Sequence, residues 1–393
     1  MRANLLRGFL PTVITIACLA SSATHARAAE EMTPLLLAVH DAPVPFTGSD
    51  GRTHLVYELW MTNFSSADAR VDKVEVLDGD KVLATLDVDT IKTRLQPAGV
   101  RTSVSTLSKS TQALLFLHVT LAAGSATPAR LSHRVTAHLS AAPPGHQELV
   151  ETGGATTVDH RIVARIAPPL RGERYISADS CCDATRHTRA ALPLNGRVWL
   201  AQRYAVDWEQ LDATNHIYTG ASEKPESYTI FGKQVFAVAD ATVESVVDGQ
   251  PEQIPGHYPE GITPTAADGN AVILKLSDHV YALYAHMQPN SIKVKPGDVV
   301  KPGQVIGLVG NTGNSVAPHL HFQLMDGPSS LASNGLPYEI DSFTVTATSP
   351  GTEAFDESEG KGVPLAIAPV TLPQQISNSL PLDQLVISFV PRR

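Results

Sequence analysis

The apolar residues of this chain come in short runs of β-branched and aromatic side chains, and turn formers break those runs throughout. Such a pattern leaves no room for long amphipathic helices and predicts a fold built from strands. At 393 residues the chain is too long for one ordinary core, so two folded units plus tails are expected. A hydrophobic fraction of 43% with 18% charged residues is that of a soluble globular protein. The formal net charge of −9 argues against a polyanionic partner, so nucleic-acid binding is not expected.

The first residues read as an address. Arg2 and Arg7 are basic, positions 9–20 are largely apolar, and Ala26-Arg27-Ala28 has the small-x-small form of a signal-peptidase site, so residues 1–28 are read as a signal peptide. The apolar run is shorter than the roughly 18–20 residues a spanning helix needs, and no later run approaches that length. No transmembrane anchor is expected, and the mature protein is placed in the periplasm or outside the cell. Cys18 has Thr15 where a lipidation site usually wants Leu, which favours the soluble reading. The remaining cysteines, Cys181 and Cys182, are neighbours and cannot staple distant segments. Two partly buried thiols are expected there rather than a strained ring or a metal pair, and no function is assigned to them.

Residues 33–167 are predicted to form an immunoglobulin-like β-sandwich. The run 55–61 is aromatic and β-branched, Asp78-Gly79-Asp80 reads as a hairpin turn, 131–140 alternates apolar with polar, and 113–121 is apolar enough for an interior strand. No helical periodicity stands out in this half. His118 and His138 fall singly inside strands and are assigned to packing or surface. Pro168-Pro169 marks the boundary, and a second all-β unit occupies residues 170–348, with short strands at 198–200, 235–238, 243–247, 271–276 and 280–285. Residues 349–393 read as a loosely ordered tail containing Pro, Ser and Glu, whose stretch 385–390 docks as one more strand.

The sharpest chemical signal is Pro318-His319-Leu320-His321-Phe322 after the turn-rich Gly310-Asn311-Thr312-Gly313-Asn314. Residues two apart in a strand share a face, so both imidazoles are expected to point into one pocket. Upstream stand Tyr284-Ala285-His286-Met287, the paired turns Lys295-Pro296-Gly297 and Lys301-Pro302-Gly303, and Tyr204-Ala205-Val206-Asp207. This ordered set, spanning about 195–324, resembles the lysostaphin/LytM-type zinc metallopeptidases. Biotinyl and lipoyl carrier barrels share the Pro-Gly rhythm but lack the His-x-His. The resemblance implies a LytM-type barrel, the duplicated hybrid motif, over the second unit. It also implies that Asp207 and His321 ligate Zn2+, while His286 takes the proton of the water that zinc activates and His319 bonds the developing oxyanion.

One position departs from the pattern. Members of the family carry a third ligand, a histidine, four residues before the aspartate, and here that residue is Arg203. A guanidinium offers no lone pair and pairs well with a carboxylate. Arg203 replaces the ion's charge beside Asp207, or the strand is bulged, or the ligand comes from His187, His216 or Cys182 with Arg203 turned outward. The first reading is therefore an exported zinc endopeptidase cutting peptidoglycan peptide cross-links. The alternative is a catalytically silent module of the same fold that binds wall peptides or regulates a wall amidase. A carrier-like adaptor barrel, the weakest reading, leaves the three histidines unexplained.

Overall fold

The computed structural model describes residues 32–390, and the leader read at 1–28 lies outside the described residues. Strands dominate: the only α-helices among the described residues are Val88–Arg94, Thr185–Thr188 and Thr352–Lys361, so the all-β expectation holds.

The N-terminal half carries two five-stranded sheets. In one, Thr53–Asn63 lies between Leu35–Ala38 and Gln112–Leu121. In the other, Ala69–Asp78 lies between Lys81–Asp87 and Arg130–Leu139. The alternation read at 131–140 is an alternation of burial, with Leu131, His133, Val135 and Ala137 inside and their neighbours turned away. Leu59 and Leu115 of the first sheet and Val74 and Val135 of the second share one apolar core. Asp78 pairs with Lys81 across the tight turn, where Gly79 takes a positive φ of 58°. The helix Val88–Arg94 escaped the sequence reading because it is a single capped turn or two. Asp87 accepts a bond from the Thr90 N–H at its start, and Ile91 is the one residue it buries.

The C-terminal half is organised around a twelve-stranded sheet. The part that matters here runs, strand beside strand, through Gly172–Ala178, Val206–Gln210, Leu320–Met325, Val280–Met287, Asn270–Ser277 and Ala241–Val247. Trp208, Tyr284, Phe322 and Tyr338 are fully buried beneath it. The region 349–393 differs from its expected loose order. It contributes the helix Thr352–Lys361 and the strands Ala368–Ser379 and Leu385–Phe389, the last inserted between Gly172–Ala178 and Tyr338–Thr348. Val386, Ile387 and Phe389 are buried there, which outweighs a composition that by itself reads as a tail.

Cys181 and Cys182 are joined to each other as a disulfide, not the pair of thiols expected from the sequence. Close by, Asp383 accepts a bond from the Ser180 N–H at 3.0 Å, and burial pushes its carboxyl up to about 7. A carboxyl raised on folding binds its proton more tightly in the native state, so stability is lost as pH rises from the unfolded value near 4 through about 7. Asp383→Asn, which keeps the acceptor and removes the charge, is expected to match the wild type in thermal unfolding at pH 4 and to exceed it above pH 7 by on the order of 2 kcal/mol. A constant difference across that range would show that the charge is not the cause.

Residues from Pro34 onward form one contact unit, so the two cores meet at an interface. The Phe46 and Tyr204 rings pack edge to face at 5.4 Å, and the Tyr204 hydroxyl donates to the Val56 carbonyl at 3.3 Å. Beside them Arg203 donates from Nε and Nη2 to the two carboxylate oxygens of Glu58 at 3.0 and 2.6 Å.

Candidate active site

Asp207 and His321 are opposite partners on neighbouring antiparallel strands. Directly opposed side chains lie close enough to touch, and His321 Nδ1 sits 2.8 Å from Asp207 Oδ1. On its other side His321 is opposite Ala285, which brings in the next residue, His286, with its ring 5.9 Å from that of His321. His319 stands immediately before the strand. Its ring is 4.6 Å from the His286 ring, and its Nε2 is 3.5 Å from Asp207 Oδ1. All four residues picked from the sequence therefore share one site.

The Gly310–Asn314 loop explains why the turn residues precede the His-x-His. Gly313 has a φ of 76°, and a Cβ there would lie 2.2 Å from the Gly269 nitrogen, so only glycine fits. That close approach presents the Thr312 carbonyl to His286, whose Nδ1–H donates to it at 2.7 Å. His286 itself has a φ of 60°, a conformation a side chain rarely adopts, with its N–H donated to the Asp268 carbonyl at 2.8 Å.

Arg203 is not in this site. It is 6% exposed, engaged with Glu58 of the N-terminal half, and neither pairs with Asp207 nor turns to solvent. The position expected to challenge the metal is an interface anchor instead. His216 bonds Thr214, and Cys182 is held in its disulfide. His187 is the residue that arrives. From the helix Thr185–Thr188 its Nδ1–H donates to the Asp179 carbonyl at 2.8 Å, and its Nε2 comes to 3.2 Å from Asp207 Oδ2. A lone histidine well upstream of the motif gave the sequence no more than a place among three candidates. A second group, His54, His118 and Cys182, also brings its ligand atoms within 4.8 Å of one another. There His118 bonds His54 at 2.8 Å and Asp183 at 3.0 Å, so it is not the solitary strand residue the sequence suggested.

The donor set of His187, Asp207 and His321 fits a zinc ion. Their ligand atoms lie within 4.8 Å of one another, and three N/O ligands leave a fourth position open. The outer contacts fix the tautomers. Asp179 holds the Nδ1–H of His187, and Gln323 Oε1 accepts the Nε2–H of His321 at 3.0 Å, so His187 Nε2 and His321 Nδ1 are the nitrogens a zinc ion would take. Without the ion, burial lowers His187 but Asp207 outweighs it and raises the imidazole to about 9, so His187 Nε2 carries a proton that zinc would displace. Gln323 is in turn oriented by its own bond to the Ser330 carbonyl at 3.3 Å. Burial raises the Asp207 carboxyl, but the neighbouring His187 and His319 and its hydrogen bonds with His187 and His321 prevail and hold it well below the usual range. Burial, then the neighbouring His319 and His321, push His286 well below the ordinary imidazole value. Burial likewise lowers His319, against the pull of Asp207. Both rings are thus neutral at pH 7. His319 Nδ1–H donates to the Ala317 carbonyl at 2.8 Å, so each ring presents its Nε2 as a lone pair.

Residues 228–333 match the family model of peptidase family M23. The chain carries an M23 peptidase domain, of the lysostaphin/LytM type. The segment matched to M23 includes His286, His319 and His321, while His187 and Asp207 precede it. Lysostaphin of Staphylococcus simulans is 44% identical over 73 residues, 18% of this chain and 14% of its own length. The glycyl-glycine endopeptidase ALE-1 of Staphylococcus capitis is 49% identical over 57 residues, 14% of this chain and 16% of that protein. The peptidoglycan DD-endopeptidase ShyA of Vibrio cholerae is 35% identical over 75 residues, 16% and 17% of the two chains. The solved catalytic domain of Staphylococcus simulans lysostaphin aligns over 42% of this chain and 88% of its own at 24% identity, with a TM-score of 0.23. The likeness to these curated M23 relatives thus spans less than a fifth of their lengths. No helix among the described residues is long and apolar enough to cross a membrane.

Proposed function

We propose that this protein is an exported zinc endopeptidase that hydrolyses peptide cross-links of peptidoglycan. The observation that supports it most is the convergence of His187, Asp207 and His321, whose ligand atoms lie within 4.8 Å of one another, beside His286 and His319, each held by a bond at Nδ1. A zinc ion held by these three side chains would supply a Lewis acid for the scissile carbonyl and acidify water towards neutral pH. His286, locked by Thr312 and neutral, accepts the water proton at Nε2. His319, neutral at rest with its Nδ1–H committed to Ala317, would bond the developing oxyanion only through a proton taken up at Nε2, a step that burial opposes and Asp207 Oδ1 at 3.5 Å assists. Arg203, tied to Glu58 away from the site, supports this reading over a silent module. In this reading residues 33–167, as an immunoglobulin-like unit, position the barrel of residues 170–348 on the wall.

The test uses the mature chain and purified peptidoglycan. About one zinc per chain is expected, with release of soluble peptide fragments that a chelator stops. His286→Ala should retain the zinc and lower the hydrolysis rate by about 100- to 10,000-fold, the loss typical of a removed general base. A zinc-loaded wild type that binds the wall and leaves every cross-link intact would replace this reading with the non-catalytic one, including regulation of an amidase.

A further inference from the structure

We propose that the cavity next to the catalytic histidines is a subsite for a primary ammonium group carried by the peptide substrate, close to the scissile bond. The proposal rests on the peptidase reading above and adds the substrate class to it. The cavity has a volume of about 330 Å3, and Asp207 and His319 form one side of it. Asp179, Arg186, Glu209 and Tyr228 continue the wall, and the helix Thr352–Lys361 closes it with Asp356 and Glu359.

The charges in this wall do not balance. Among the described residues Arg186 is its only arginine or lysine, and it is already engaged by Asp179 at 2.8 Å and Asp356 at 2.6 Å. Glu209 and Glu359 bond each other, which requires one of the two to hold a proton, as burial favours. The pair therefore carries one negative charge, and the Arg186 near Glu359 is the same one already engaged. Glu209 is 2% exposed and its Oε2 has no hydrogen-bond partner; Asp179, 4% exposed, leaves Oδ1 without one, as does Asp356 Oδ1. Buried carboxylate oxygens without donors are costly, and a fold keeps them where a donor comes from outside. An ammonium brings three N–H donors, no acceptor and a positive charge, which complements this wall and opposes a substrate carboxylate at the same place. Because Asp207 and His319 line the same space, the amine belongs to a residue flanking the bond that is cut. The closing helix lies outside the segment 228–333 that matches the family model.

The experiment compares cross-linked muropeptide dimers with free primary amines against the same dimers after N-acetylation. Binding is measured by calorimetry on the zinc-loaded His286→Ala protein, which removes turnover from the readout, and hydrolysis is followed separately with the wild type. The free-amine dimers should bind at least about tenfold more tightly, and Glu359→Gln should abolish that preference without weakening the acetylated form. Equal affinity for the two forms, or a preference that survives Glu359→Gln, overturns the subsite. Preferential binding with no hydrolysis by the wild type upholds the subsite and overturns the peptidase reading instead.

Discussion

His187→Ala is expected to lower zinc affinity by more than about 100-fold and to abolish hydrolysis, while the protein stays folded. The magnitude follows from what weaker lesions do: loss of a single supporting hydrogen bond to a metal-binding histidine typically costs about 10- to 100-fold. Gln323→Ala is the internal comparison, because it removes only the acceptor for the His321 Nε2–H and should fall within that smaller range. His187 sits on a helix of four residues, Thr185–Thr188, and its ring is held by the Asp179 carbonyl at Nδ1, by Asp207 at Nε2 and edge-to-face by the His321 ring, all at the site itself, so trimming it removes site contacts rather than the barrel core. Titration against a chromophoric chelator reads all three proteins at once. Wild-type zinc affinity in His187→Ala would mean that Asp207 and His321 recruit some other ligand, and the three-residue donor set would fall.

What the sequence disclosed and what it hid divide along contact range. Strands of residues 55–61, 131–140 and 280–285 were readable because each carries its burial pattern in its own alternation or apolar run. His319 and His321 were readable for the same reason, since a His-x-His declares a shared face within three residues. Asp207 and His286 became readable only through the order of motifs that a family likeness supplied. His187 lies beyond both kinds of signal: its place depends on how the loop after Gly172–Ala178 folds back over Asp207, and that is set by tertiary bonds to Asp179. The C-terminal region was misread for a related reason. Its helix buries only Phe355 and Ser358, and its value lies in the wall it offers to a cavity built from other segments.

Arg203 carries the second large expectation. Arg203→Met should destabilise the protein by about 3–5 kcal/mol in urea unfolding, because it strands the Glu58 carboxylate in a site where Glu58 is 3% exposed. Burial works against the Arg203 charge, but Glu58 outweighs it and raises the guanidinium further, so Arg203 stays charged in its pair with Glu58. The paired change Glu58→Leu with Arg203→Met should recover most of the loss, since two apolar side chains of similar size need no partner there. Arg203→His is the informative third variant. If position 203 still faced the metal, an imidazole there would strengthen zinc binding. Because the side chain instead crosses to the N-terminal sheet beside the Tyr204 contact with Val56, the new histidine should leave zinc affinity unchanged and cost stability like the methionine. A gain in zinc affinity would put residue 203 back among the ligands and make the interface ion pair incidental.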